Sequence, residues 1–288
     1  MDKIENEHLE GERALFKTTN KTIIGCLFDN GESPLKECRN LTINDCVFGW
    51  KYPLWYGENL DVSNSKFLEM GRAGIWYTSD SSFSNLCFIA PKGFRRCKNI
   101  SLENVSFENA SETLWWCENV RMSNCKATGS YLFMQSKSII VENLTLEGDY
   151  AFDGCENILV KNSTLHTKDA FWNCKNATIE DCVIEGEYLG WNSENIVFIN
   201  CKIKSHQALC YIKGLKLIDC EIVDSDLVFE YCSNIDAVVL SMVDSIKNPI
   251  SGTIRANGVK EIIRDDPLIE SKDTKISVKD DKGNYHEI

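Results

Sequence analysis

"GEYLGWNSENIVFINCKI" occupies Gly186–Ile203, and the same sentence stands twice before it. Nineteen positions earlier, Thr167–Ile184 reads "TKDAFWNCKNATIEDCVI"; nineteen earlier again, Gly148–Leu165 reads "GDYAFDGCENILVKNSTL". An aromatic patch, a small residue, an Asn, alternating apolar residues and a closing Asn or Asp return in step. That closing position runs Asp45, Asn64, Asn85, Asn104, Asn124, Asn143, Asn162, Asp181, Asn200 and Asp219, with nearly constant steps of nineteen. Fixed self-similarity at this length means a repeat architecture.

Within a unit the apolar residues alternate, as in Ile158 and Val160, which is a strand signal. So short a unit cannot hold a propeller blade, and it lacks leucine-rich-repeat spacing. The pattern therefore predicts an all-β chain wound as a parallel β-helix, each unit forming one coil on the last. Equivalent residues of neighbouring units then stack in columns about 4.8 Å apart. Asn59, Asn99, Asn119, Asn157, Asn176, Asn195 and Asn234 form one such column, as suits bends that need left-handed backbone.

The 14 cysteines fall largely into two small-residue columns, including Cys182, Cys201 and Cys220 in a row. They read as reduced core residues, and none is spaced for a metal or redox pair. The boundaries expected are a frayed 1–9, a β-helix over 10–241, and a capping segment over 242–288 that ends in a hairpin. The hairpin is read from "KISVKDDKGNYHEI" (Lys275–Ile288).

The phrases "GERALF", "GESPLKE", "WKYPLWY", "GIWYT", "TLWW", "DAFWN", "GEYLGWNS", "LCYI" and "KNPISGTI" resemble, in order over roughly residues 10–260, the DUF3737 family of uncharacterised bacterial proteins. The resemblance implies a single right-handed parallel β-helix of pectin-lyase-like type. It implies no chemistry.

Counting back from the second cysteine column, the residue three before it is uniformly apolar (Leu54, Ile75, Phe94, Leu114, Phe171) and is expected to point inward. Its neighbour should point outward. That neighbour column reads Trp55, Trp76, Arg95, Trp115, Met134, Asp153, Trp172, Trp191, Cys210 and Glu230. Lys92 and Arg96 flank it. An aromatic and basic ridge of this kind suits a carbohydrate or another extended, anionic ligand. An alternative is a lyase or hydrolase, with Glu32, Lys51, Arg72 and Glu112 as weak candidates for proton transfer. A third reading makes the ridge a homo-oligomer interface. His206 is expected to contact Glu187.

Other classes are excluded. The net charge of −12 disfavours nucleic acid and anionic membrane. Four scattered histidines and the absence of a phosphate-binding glycine loop predict no metal and no cofactor. The N-terminus has no apolar leader segment, so the expected location is cytoplasmic.

Overall fold

The computed structural model describes residues 2–270 and 273–288. The chain forms two compact units, one ending at Gly148 and one beginning at Asp149. Each is a parallel β-helix, and no α-helix occurs among the described residues.

In the first unit, Thr19–Ile24, Arg39–Asn44, Glu58–Ser63, Ser79–Ser84, Lys98–Glu103, Glu118–Thr128 and Lys137–Glu147 pair in parallel, one rung after another. Ser82 faces Ser101, Ser101 faces Arg121, and Arg121 faces Ile140. The buried side of each rung carries the alternating apolar residues. Phe28, Phe48, Phe67, Phe88 and Phe107 are fully buried and stack with centroid separations of 4.2–5.2 Å. That spacing is the rung repeat itself, within the range where offset rings attract.

The corners follow from the asparagines. Every Asn or Asp in the closing column has positive φ, from Asp45 at 54° to Asp219 at 52°. So does the second column, where the side chains also join: Asn59 Nδ2 donates to Asn40 Oδ1 at 2.8 Å, and Asn40 to Asn20 at 3.0 Å. Asn tolerates this backbone better than other side-chain-bearing residues, which is why the repeat keeps it.

In the second unit, Glu156–Lys161, Lys175–Glu180, Glu194–Ile199 and Lys213–Ile222 repeat the arrangement. Phe152 and Phe171 are buried, as their column predicts, and stack at 5.0 Å.

Two expected boundaries move. Asp2–Glu5 and His8–Glu10 are not frayed: they pair in parallel with Thr19–Ile24 and Leu27–Asp29 and form a first coil. Met1 lies outside the described residues. Nor does the β-helix stop at 241. Gly252–Ile263 pairs in parallel with Ile235–Lys247, and Thr274–Lys279 pairs with Gly252–Ile263. Ile235 there faces Gly252, a shorter step than the repeat, and Gly252 faces Thr274, a longer one. The periodicity breaks while the coil persists. The predicted hairpin is present, with Thr274–Lys279 antiparallel to Tyr285–Glu287.

All 14 cysteines are free, and all but Cys87 are buried. Many thiols reach backbone of the preceding coil, as where Cys174 Sγ lies 2.9 Å from the Phe152 carbonyl.

Candidate functional site

The outward ridge of the first unit is two columns wide. Trp55, Trp76, Arg95 and Trp115 form the inner column and are half-buried; Tyr56, Tyr77, Arg96 and Trp116 form the outer one and are exposed. Alternation placed the inner column outside the core. It did not reveal Tyr56, Tyr77 and Trp116 of the outer one, because the chain turns at this corner and two consecutive side chains both face out. Tyr56, Tyr77 and Trp116 are 44%, 40% and 42% exposed, so the outer column is the surface a partner meets first. The pattern "WY" at 55–56 and 76–77, answered by "WW" at 115–116, was the available signal.

The indoles also brace the wall. Trp55 Nε1 donates to the Ala73 carbonyl at 2.6 Å, Trp76 to Lys92 at 3.1 Å, and Trp115 to Tyr131 at 2.6 Å. Each acceptor belongs to a left-handed residue one coil on, whose φ is 53° to 63°. Trp55 and Trp76 are parallel at 5.0 Å, and Tyr56 and Tyr77 at 4.7 Å; the Trp55 plane lies 75–77° from both tyrosines. These separations require slipped stacks, so each ring keeps part of its face open.

The cations divide into two groups. Lys51 pairs with Glu32 at 3.2 Å, while Glu112 holds Lys92 at 2.9 Å and Arg95 at 3.2 Å. The Arg95 guanidinium lies between two indoles, 4.5 Å from Trp76 and 4.6 Å from Trp115. Its side chain is only 16% exposed, and Nε is buried without a hydrogen-bond partner. The indole faces offset that burial. Arg95 is thus a rung of the wall. Among the described residues, Arg72, Arg96 and Lys36 make no ion pair; Arg96 lies 5.1 Å over Trp116 and Lys36 5.5 Å over Tyr56. Beside Lys36 and Tyr56 opens a shallow pocket lined also by Lys17, Glu37 and Arg39.

The family model "Protein of unknown function (DUF3737)" matches residues 2–277. The chain belongs to the DUF3737 family. No curated protein matches its sequence. Among solved structures, it is similar to PfbA, a surface adhesin of Streptococcus pneumoniae, at 11% identity over 98% of this chain and 92% of that one, with a TM-score of 0.41. The A-module of the mannuronan C-5 epimerase AlgE4 of Azotobacter vinelandii gives 8% identity over 96% and 90%, TM-score 0.38. The tailspike of Escherichia coli bacteriophage HK620 gives 10% over 90% of this chain and 62% of the tailspike, TM-score 0.39. Likenesses this distant leave the function of this DUF3737 chain to its own side chains.

In the second unit the ridge changes character. Trp172 and Trp191 lie 5.8 Å apart, and the run continues through Tyr211 and Tyr231 at 4.3 and 4.9 Å. Cys210 and Glu230, expected to face outward, are instead buried. Lys247, from the coil whose period had broken, lies 3.1 Å from Glu230, and Gln207 donates to it from the other side. Burial pushes the Cys210 thiol up to about 12, with the Glu230 carboxylate adding to it. His206 does not meet Glu187: its Nδ1 lies 2.7 Å from Asp226, while Glu187 takes Lys168 at 3.0 Å. Asp153 of the ridge column accepts from Asn173 at 2.9 Å, and Asp169 is buried. No group of three or more metal-ligating side chains occurs among the described residues. No described helix is long and apolar enough to cross a membrane.

Proposed function

We propose that the two-column strip of the first unit binds an extended, glycan-like ligand bearing anionic groups. One observation carries this reading. The aromatic run Trp55, Tyr56, Trp76 and Tyr77 is bracketed by two cations, Lys36 and Arg96, that no carboxylate neutralises among the described residues. Elsewhere on this acidic chain, exposed cations are commonly paired rung to rung, as in Lys98–Glu118 and Arg39–Glu58. Rings of slipped stacks offer apolar faces to sugar rings, and the flanking cations offer charge-assisted bonds to carboxylates. Glu32, Lys51 and Glu112 are already held in ion pairs, so the geometry favours binding over proton transfer.

Titration of the parent protein with oligogalacturonate, followed by tryptophan fluorescence and calorimetry, tests this. Arg96→Ala is expected to leave the melting temperature unchanged and to weaken binding by about 1.5–3 kcal/mol. Arg95→Ala is expected to lower the melting temperature, because it empties the space between two indoles. If no acidic oligosaccharide perturbs the fluorescence and the protein sediments as a dimer that Tyr77→Ala disperses, the strip is a self-association surface and the proposal fails.

A further inference from the structure

The first unit carries a second groove, on the sheet formed by Glu58–Ser63, Ser79–Ser84, Lys98–Glu103, Glu118–Thr128 and Lys137–Glu147. Its floor is made of short side chains. Ser82 and Ser84 on one rung, Ser101 on the next and Ser123 on the third all face out, and larger residues rise around them: Asp61, Glu103, Arg121, Ile140 and Glu142. A serine at a position where other rungs place Lys, Arg or Glu leaves a trough by default of volume.

What distinguishes the trough is unused hydrogen-bonding capacity. Ser82 donates to Asp61 at 2.9 Å, but among the described residues the hydroxyls of Ser84, Ser101 and Ser123 have no side-chain partner. Arg121 makes no ion pair among those residues, although it shares the groove with Glu103 and Glu142. On the same unit Lys92, Lys98 and Lys51 each found a carboxylate on a neighbouring rung. Asp61 and Glu103 against the one guanidinium of Arg121 leave the trough net negative, which disfavours an anion. No aromatic ring with an exposed face lines it.

We infer that this trough is a second binding site, for a neutral polyhydroxylated chain such as an uncharged oligosaccharide. The chain lies along the coil axis and meets a new set of donors and acceptors every rung, about 4.8 Å. Carboxylates accept from hydroxyls, serines both accept and donate, and Arg121 donates in a fork to adjacent oxygens. The site shares no residue with the aromatic strip, so either one stands without the other.

The test uses the full chain with maltohexaose, cellohexaose and chitohexaose as probes, read by calorimetry and by saturation-transfer NMR. At least one neutral hexasaccharide is expected to bind. Arg121→Met is expected to weaken that binding about ten- to a hundredfold, and Ser123→Trp, which fills the trough, to abolish it. Arg96→Ala and Tyr77→Ala are expected to leave it unchanged, and oligogalacturonate is expected not to compete. Should Arg121→Met shift the melting temperature, the double variant Ser101→Ala/Ser123→Ala reads the same contacts without removing a charge. Absence of binding by all three probes overturns the inference. So does binding that survives both Ser123→Trp and the double variant.

Discussion

An asparagine at a corner of this molecule satisfies two demands at once, backbone and side chain. Asn99 has φ of 54°; its Nδ2 donates to Asp80 at 2.7 Å, and its Oδ1 accepts from Asn119 at 3.0 Å. Alanine would keep neither the tolerance for left-handed backbone nor the two bonds, whereas glycine keeps the first. Asn99→Ala is therefore expected to cost about 2 kcal/mol, and Asn99→Gly about half of that, by urea denaturation. Equal losses in the two variants would mean that the amide bonds alone matter. Arg95 makes the opposite point. Its place in the column suggested a residue that reaches for a ligand, yet two indoles and Glu112 hold it within the wall.

At the scale of the coil, the rung is the unit of exchange. Lys175 faces Glu156 on one side and Glu194 on the other, each a single repeat away. Deleting Asn176–Glu194 removes one whole rung and brings Asn195 to where Asn176 stood, with every column intact. The shortened protein is expected to keep its β circular dichroism and cooperative unfolding. Deleting only Asn176–Ile184 puts apolar residues on the surface and is expected to abolish folding. If both deletions behave alike, the columns do not organise the fold. Periodicity made this level readable from sequence: the rungs, the inward phenylalanines, the left-handed asparagines and the buried cysteines all follow from one regular repeat. It failed where the spacing changed. The first coil at Asp2–Glu10 carries mostly charged residues that resemble a frayed end, and the last coils step first short, then long. Among candidate site residues, sequence located the indole column and Arg96 beside it, but not the exposed Tyr56, Tyr77 and Trp116. Nor did it locate the serine trough, since absent bulk leaves no motif.

For the whole molecule, the buried thiols set a limit at high pH. Burial pushes Cys38 and Cys210 up to about 12, and Cys46 and Cys125 up to about 11, against 9.0 for an unhindered thiol. A raised folded value means that the unfolded chain ionises first. The stabilisation is full below pH 9 and is lost as pH rises towards 12. Each such thiol is expected to steepen the loss by at most about 1.4 kcal/mol per pH unit. Urea midpoints measured across mildly to strongly alkaline pH should fall, and fall less steeply in Cys38→Ala/Cys210→Ala. A flat profile would show that these thiols are open to water.

The asparagine ladders give the surface an electrical direction. In a strand the backbone dipoles alternate and nearly cancel. The side-chain amides do not: Asn40 donates to Asn20, Asn59 to Asn40 and Asn119 to Asn99, always from the later rung to the earlier. The second unit keeps the same sense, with Asn176 donating to Asn157 and Asn195 to Asn176. Aligned head to tail, these amides add, much as peptide units do along a helix. In the first unit the series begins at Asn20, whose Nδ2 donates to no other side chain among the described residues. That end of the ladder is its positive pole. It lies next to Thr19 in the chain, in the lining of the pocket where Lys17, Lys36 and Arg39 gather. A negatively charged group arriving there is drawn by oriented amides as well as by Lys36, while Lys17 and Arg39 are held by Glu37 and Glu58.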